Sequence, residues 1–403
     1  MLSRVSCWRP CSIKNMFYTL FLISLCATLH VWMLEGILDF TNKTLSLFST
    51  RFTTFKFIPD PNTKYILSWD HKYLTSNVAD GFQKYNCPVK NCFFTTNKDL
   101  LNLSTFDAIV FGENILTSDN RPRERSPRQI FVYMSNESSY KFPACELYND
   151  DYFNWTFTYR FDSDVLWRPF VVRNLTGDIV APSTEVVWTM NSAPLRSDIK
   201  STLQSKMRAV VWILDDYSCA GFDYLLRLEK HLYHFELKLY KHRHFKKNSL
   251  YDSDILPQNY QFVVGFENSI VKDYVTRKVM EGYRNYAVPV VYGGANYGRF
   301  LPPGSYINAR VTHPYNLAQA IYQATKSQEA YERYFKWRND YSIEEDHSSL
   351  CDLCAALNGD RAKYAPAKKK FRVWWNSPNR MHLCLPIDYP DIEKNGNFTI
   401  PNL

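Results

Sequence analysis

The sequence predicts an α/β fold of two Rossmann-like lobes facing each other across a cleft, behind a single N-terminal membrane-spanning helix. Three observations predict it. Short apolar runs recur with helical segments between them, the pattern of parallel sheets covered on both faces. The stretch "FVVGFENSIVKDYVTRKVMEGYRNYAVPVVYGG", Phe262 to Gly294, sets a charged cluster between two runs that belong in a core. Residues 17–34 are almost wholly apolar, with His30 the one strongly polar side chain.

The chain opens on a short basic tail, 1–16, expected in the cytosol. At ~1.5 Å per residue, residues 17–34 span a little under ~30 Å, enough for a hydrocarbon core. Arg4, Arg9 and Lys14 precede them and no acid appears before Glu35. That asymmetry keeps the N-terminus in the cytosol and sends the rest across. A cleaved signal peptide would have a shorter apolar core and a small-residue cleavage site, which is not evident. A retained signal anchor is therefore expected, followed by a stem over 35–60.

Everything beyond the anchor is expected to be luminal. Six glycosylation sequons fit that side: Asn42, Asn102, Asn136, Asn154, Asn174 and Asn397. Of ten cysteines, Cys7, Cys11 and Cys26 lie near the anchor and seven lie downstream. Cys87 and Cys92 form "CPVKNC", and Cys351 and Cys354 form "CDLC". The second pair alone suggests zinc or redox chemistry, but an oxidising lumen favours structural disulfides. Spacing allows pairing within each motif or between the two. With seven downstream cysteines, at least one of Cys145, Cys219 and Cys384 is expected to be free or intermolecular. The net charge of +8 is scattered apart from "KHRHFKK" and "KKKFR", and no nucleic-acid motif accompanies it. Aromatic residues make up 16% of the chain, which suits either a sugar-binding cleft or a Tyr-rich core.

The first lobe, 61–185, shows "KYILSW" near 64, "FDAIVFG" at 106 and "QIFVYM" at 129 as buried strands. The second, 186–360, begins with "RAVVWIL" near Met207. "FDYLLRLEKHL" reads as a helix with leucines on one face, and "FELKLY" and "YQFVVGF" as further strands. Residues 361–403 form a C-terminal extension without a readable motif. The charged cluster after Phe266 falls at the C-terminal end of a strand, where open α/β sheets bind ligands beside a helix N-terminus. Lys278 adds a cation there, and "GGANYG", Gly293 to Gly298, permits close backbone approach.

With "FENSIVKDYVTRK" followed by "VPVVYGGANY", the chain resembles the α-1,3-fucosyltransferases, whose pattern is F-E-N-S-x-x-x-D-Y-x-T-E-K, then V-P-V-V-x-G. "FLPPGSYINA", "CDLC", "CPVKNC", "FVYMSNESS" and "FNWTFTYRFDSDV" extend the likeness over most of residues 63–357. The resemblance implies a GT-B fold, a Golgi membrane protein of type II topology, and inverting transfer of L-fucose from GDP-fucose to an N-acetylglucosamine hydroxyl. It implies Glu137 as the general base, from the family's M-E-S-P segment, in place of an ordinary exposed residue of an "NES" sequon. Lys278 is then implied at the diphosphate, Asn268 and Tyr274 in the donor pocket, and Glu267 beside the fucose. Asp273 either caps the helix or holds the loop. Tyr159, Arg160 and Asp162 look like cleft residues, with a loop-fixing Arg–Asp pair as the plainer reading. No metal ligands are assigned and no cofactor is required; manganese is at most a stimulant. The "GGANYG" form resembles invertebrate members and those modifying the N-glycan core, which points to the chitobiose GlcNAc as acceptor.

Three departures from the family pattern bear on activity. Arg277 stands where the family has Glu in T-E-K, and "ESS" replaces "ESP". Near Gly221 the segment is shorter, and the family's phosphate-binding Arg is missing. Arg277 either supplies the missing charge beside Lys278, although adjacent helical side chains diverge by ~100°, or the site is weakened. The second reading makes the chain a catalytically weak or inactive family member that acts as a glycan- or enzyme-binding Golgi protein. A third possibility is another nucleotide-sugar transferase of the same fold.

Overall fold

A computed structural model of the chain describes residues 21–22, 24–38, 57–69, 82, 87–113, 120–122, 125–214, 221–243, 260–345 and 349–376. The chain divides into two compact units, Met1–Pro59 and Asp60–Leu403. In the first, residues 24–38 are helical, and Thr28 Oγ1 donates to the carbonyls of Ser24 (3.1 Å) and Leu25 (2.9 Å). No helix among the described residues is long and apolar enough to cross a membrane. The expected anchor at 17–34 lies partly outside them, as do the tail and most of the stem.

The second unit carries two parallel sheets. In the first, β1 (Lys64–Ser68), β2 (Cys92–Thr95), β3 (Ala108–Phe111), β4 (Ile130–Ser135), β5 (Trp155–Thr158) and β6 (Val165–Leu166) run in the order β2-β1-β3-β4-β5-β6. Every neighbouring pair is parallel. β7 (Phe170–Asn174) and β8 (Ile179–Ala181) belong to a small antiparallel sheet. The second parallel sheet contains β9 (Met207–Leu214), β10 (Leu239–Arg243), β11 (Tyr260–Phe266), β12 (Val288–Tyr292) and β13 (Ile307–Asn308), ordered β10-β9-β11-β12-β13. β14 (Tyr341–Glu345) then pairs with β7.

Burial explains why the central strands read clearly. "AIVF" of β3 and "IFVYMS" of β4 are buried at every position, as strands covered on both faces must be. Helix α1 (Ser197–Gln204) precedes β9. Helix α2 (Phe222–His234) buries Tyr224, Leu225, Leu228 and Leu232 along one stripe. Short helix α3 (Lys278–Arg284) links β11 to β12. Helix α4 (Pro314–Lys326) packs on α2 and starts with proline at its first turn, the His313 ring nitrogen accepting from the Tyr315 N–H (3.3 Å). Helix α5 (Gln328–Glu332) follows it.

Two segments differ from expectation. "FELKLY" begins as the end of α2, because the Phe235 N–H bonds to the carbonyls of His231 and Leu232. Glu236 then turns at φ 58°, and the strand starts only at Leu239. β5, "WTFT", is not legible as a buried strand because half of it is threonine. All four positions are nonetheless buried. Thr156 Oγ1 donates to Asp164 Oδ2 (2.9 Å), and the Thr158 and Ser163 hydroxyls pair at 2.6 Å.

After β14 the chain returns to the first sheet. Helix α6 (Ser349–Asn358) buries Leu350, Leu353 and Leu357 among Ile66, Phe94, Val132 and Phe157. Disulfides Cys87–Cys351 and Cys92–Cys354 fasten it there, so the two motifs pair with each other rather than internally. Helix α7 (Phe371–Asn376) buries Phe371 and Trp375 against Tyr133, with ring centroids 4.7 Å and 5.1 Å away. The boundary drawn at 360 therefore falls inside one returning segment. Cys145 is also disulfide-bonded, while Cys219 and Cys384 lie outside the described residues.

Candidate active site

A cleft of about 350 Å³ opens at the C-terminal ends of the two parallel sheets. Asn136 and Glu137 follow β4, Tyr159 follows β5, and Trp167 and Pro169 follow β6. Asn268, Tyr274, Thr276, Arg277 and Lys278 face them from the segment between β11 and α3. Parallel strands end on one side of their sheet, so loops distant in sequence converge there.

On the first wall, Ser135 Oγ accepts from the Glu137 N–H (3.1 Å), turning the chain as β4 ends. The Glu137 carboxylate is partly exposed. Its Oε1 lies 3.2 Å from Lys141 Nζ, and its Oε2 accepts from Tyr274 Oη across the cleft at 3.4 Å. Burial pushes the Tyr274 phenol far above its ordinary range, and the Glu267 and Glu137 carboxylates push it further. Tyr274 is therefore a neutral donor. Tyr159, pushed up to about 12 by burial, accepts from the Ser139 N–H (3.3 Å) and meets the Tyr274 ring edge-on at 4.9 Å.

The second wall is braced from within. Glu267 is fully buried, and its two oxygens accept from the Thr276 N–H and Thr276 Oγ1, each at 2.8 Å. It lies behind the cleft wall rather than on it. Lys278 Nζ is fixed by Asn268 Oδ1 (2.6 Å) and the Phe266 carbonyl (3.1 Å). Arg277 is exposed at the N-cap of α3, and its side chain has no partner among the described residues. Both cations line the cleft, so the divergence of neighbouring helical side chains does not part them.

Asp273 holds the loop and does not cap α3, whose N-cap position has no side-chain cap bond. Its buried carboxylate accepts from the Phe161 N–H (3.3 Å) and lies 3.7 Å from Arg299, at a left-handed φ of 60°. The Ser138 and Ser269 hydroxyls add a buried 2.7 Å bridge between the walls.

Arg160 and Asp162 stand off the cleft. Arg160 clasps Asp162 through two hydrogen bonds (2.9 and 2.8 Å), donates to the Trp374 carbonyl, and lies 4.4 Å from the Trp374 ring. Burial opposes the Asp162 charge, yet the hydrogen bonds and charge of Arg160, with Lys272, hold its carboxyl below the ordinary value. The pair ties the loop after β5 to α7.

One sequon is corrected. Asn154 is buried: its Oδ1 accepts from the Phe131 N–H (2.8 Å) and its Nδ2 donates to the Ala365 carbonyl (2.5 Å). Asn136 is on the cleft wall. Asn102 is exposed and Asn174 ends β7 at a surface turn, whereas Asn42 and Asn397 lie outside the described residues. The first two glycines of "GGANYG", Gly293 and Gly294, serve the protein's own packing. A Cβ on Gly294 would meet the Val271 carbonyl oxygen at 2.3 Å, and one on Gly293 would meet the Tyr297 hydroxyl at 2.6 Å. At Gly221, φ is 90° and a Cβ would strike the Tyr292 ring at 2.7 Å, so no arginine fits that position. Among the described residues, no group of three or more His, Cys, Asp or Glu is placed to hold a metal ion.

Sequence reasoning missed Trp167, Lys141 and Thr276, and took Asn136 only as a sequon. Thr276 stood inside the quoted motif. Trp167 and Lys141 carried no local signal.

Two family models and several known proteins match the chain. Residues 61–170 match the fucosyltransferase N-terminal model, and residues 203–373 the C-terminal model of glycosyltransferase family 10 (fucosyltransferase). The chain is 30% identical over 340 residues to alpha-(1,3)-fucosyltransferase C of Drosophila melanogaster, covering 79% of this chain and 76% of that protein. It is 28% identical over 313 residues to glycoprotein 3-alpha-L-fucosyltransferase A of the same fly, covering 74% and 57%. Human 4-galactosyl-N-acetylglucosaminide 3-alpha-L-fucosyltransferase 9 is 27% identical over 280 residues, covering 66% and 70%. A crystal structure of an alpha1,3-fucosyltransferase superposes with a TM-score of 0.44 at 14% identity, covering 77% of this chain and 94% of that one.

Proposed function

The chain belongs to glycosyltransferase family 10, the fucosyltransferases, and on that footing we propose that it transfers L-fucose from GDP-fucose, in α-1,3 linkage, to an N-acetylglucosamine hydroxyl of glycoprotein glycans. The observation that carries this reading is that Glu137 and the Arg277–Lys278 pair line one cleft from opposite walls.

In this reading the acceptor hydroxyl gives its proton to Glu137 as its oxygen bonds to the fucose anomeric carbon. The bond from that carbon to the diphosphate oxygen breaks with its electron pair, so GDP departs and the configuration inverts. Tyr274 fixes Glu137 Oε2, which leaves Oε1 to receive the proton once Lys141 swings aside at the mouth. Lys278 and Arg277 stabilise the charge that gathers on the leaving diphosphate. Glu267 acts behind them by holding Thr276, and with it the start of α3.

The parallel sheets support a GT-B arrangement, the lobes meeting at the cleft. Two disulfides suit the oxidising lumen of the secretory pathway. A type II Golgi anchor at 17–34 completes the reading. Arg277, in place of the family's glutamate, favours a second reading in which the cleft binds nucleotide or glycan without turnover. One experiment separates them. Purified protein is incubated with GDP-fucose and defined N-glycans and the products are weighed; a gain of one deoxyhexose on the core GlcNAc is expected. GDP binding with no transfer across the panel would favour the binding protein.

A further inference from the structure

Fucosyl transfer as assigned above leaves two groups on the first-sheet wall without a task. Asn136 precedes the base directly. Its side-chain Oδ1 is covered and has no hydrogen-bond partner among the described residues, which is an unfavourable state for a buried carbonyl oxygen. Trp167 reaches the same cleft half-buried. Its ring is braced by the edge of Phe157 at 5.4 Å and its backbone N–H by the Thr158 carbonyl at 2.9 Å. The Trp167 indole N–H has no partner among the described residues and is not covered, so it is open to solvent and to a ligand in the cleft.

We propose that Asn136 and Trp167 form the subsite that seats the acceptor sugar beside Glu137. The subsite combines a flat apolar face, a covered acceptor without a partner and a solvent-accessible donor next to a carboxylate. An N-acetylhexosamine is complementary on each count. Its C–H face stacks on the indole, its acetamide N–H reaches Asn136 Oδ1 after a small rotation about the broad χ2 of asparagine, and its acetamide carbonyl accepts from Trp167. The hydroxyl beside the acetamide carbon then falls next to Glu137. A site built around such bonds discriminates strongly against a sugar that lacks the acetamide. Asn136 must carry no glycan, since a glycan on its nitrogen would occupy the cleft, so the first residue of this "NES" sequon is a ligand contact and not a modification site.

The inference rests on the fucosyl-transfer reading, and its test keeps the two apart. Steady-state transfer to a GlcNAc-terminated acceptor is measured for the full chain and for Asn136→Ala, Trp167→Phe and Trp167→Leu. GDP binding by calorimetry runs in parallel. Asn136→Ala is expected to raise the acceptor KM about tenfold, the scale of one lost hydrogen bond in a desolvated site. It should also narrow the preference for GlcNAc over a glucose acceptor. Trp167→Leu raises the acceptor KM further, and Trp167→Phe, which keeps the face and loses the N–H, falls between. The GDP dissociation constant stays within about twofold of wild type in every variant. Should Trp167→Leu not fold, the other two decide. An acceptor KM unmoved in Asn136→Ala and Trp167→Phe, with wild type active, overturns the subsite alone, as does a glycan found on Asn136 by peptide mass. A wild type that neither binds GDP nor transfers fucose fails at the earlier step and takes the subsite with it.

Discussion

The two walls of the cleft are held by opposite means. On the second-sheet side, the groups that fix the cation are braced locally: Glu267 bonds to Thr276 and Lys278 bonds to Asn268 and Phe266, all within one short segment. Asp273 and Ser269 in between reach Phe161 and Ser138 on the first wall. On the first-sheet side, the loop after Glu137 is held by residues from the far end of the chain. The Trp375 indole N–H donates to the Phe142 carbonyl (2.8 Å), and Asn376 Oδ1 accepts from the Ala144 N–H (2.8 Å). Arg372 bonds to Asp150 through its backbone and side chain (2.9 and 2.8 Å), and two disulfides clamp α6 beneath. A wall that folds on its own contacts can be altered without disturbing the sheet. A wall that waits for the C-terminus cannot.

The largest expected effect is chemical and belongs to the first wall. Replacing a general base by its amide typically removes about 10²–10⁴ of the rate. Glu137→Gln is accordingly expected to lower kcat by about that factor while GDP affinity, which the proposed function assigns to the opposite wall, stays put. The amide still accepts from Tyr274, so the fold should be unaffected by circular dichroism. A kcat loss below about tenfold would place the base elsewhere.

Next in size is the remote support. Trp375 is fully buried, and truncating a buried tryptophan costs about 3–5 kcal/mol. Trp375→Ala should show that loss in chemical denaturation, and the protein that remains folded should lose kcat more than GDP affinity. If GDP affinity falls in step with kcat, the walls are not independently supported and the contrast drawn above is wrong.

The same contrast governs what could be read in advance. The second-wall motif was legible because its meaning is contained in a dozen residues: strand, polar turn, helix start. Glu267 was legible as important, yet its place was not, because a motif shows which residues go together but not which face outward. The first wall offered Glu137 only by resemblance, since nothing in "YMSNESS" distinguishes a base from a sequon. "VWWN" of α7 meant nothing in isolation, because Trp375 acquires its role only when the chain returns across the first sheet. β5 hid for a different reason. Its threonines look solvent-facing until Asp164 and Ser163 satisfy their hydroxyls. The aromatic richness went mainly to packing, with Tyr133, Phe153, Phe371 and Trp375 forming one buried cluster, while three aromatic side chains, Tyr159, Trp167 and Tyr274, reach the cleft.

A smaller test breaks the local brace. Thr276→Val keeps the shape and the backbone N–H but removes the hydroxyl bond to Glu267 Oε2. A hydrogen bond to a buried charge is worth about 1.5–3 kcal/mol, and part of it is recovered if water enters. GDP affinity should fall about tenfold, near the lower end of that range, with kcat at saturating donor little changed. Loss of soluble protein instead would mean that this wall, too, is needed by the whole fold.

The smallest expected effect concerns Arg277. Its guanidinium is exposed, so its attraction for a diphosphate is screened, and an exposed ion pair contributes at most about 1 kcal/mol. Arg277→Glu, which restores the residue of the family pattern, is expected to weaken GDP binding about fivefold at low salt. The gap should close as salt rises toward about 1 M, where the Debye length is roughly 3 Å. Lys278 should show less salt dependence, because Asn268 and the Phe266 carbonyl hold its ammonium in place. Gly221 has no room for a larger side chain beside Tyr292, so a cation supplied by Arg277 comes instead from the start of α3, after the neighbouring parallel strand β11. Tighter GDP binding by Arg277→Glu would show instead that arginine damages the pocket, and the local wall would then be the weakened one.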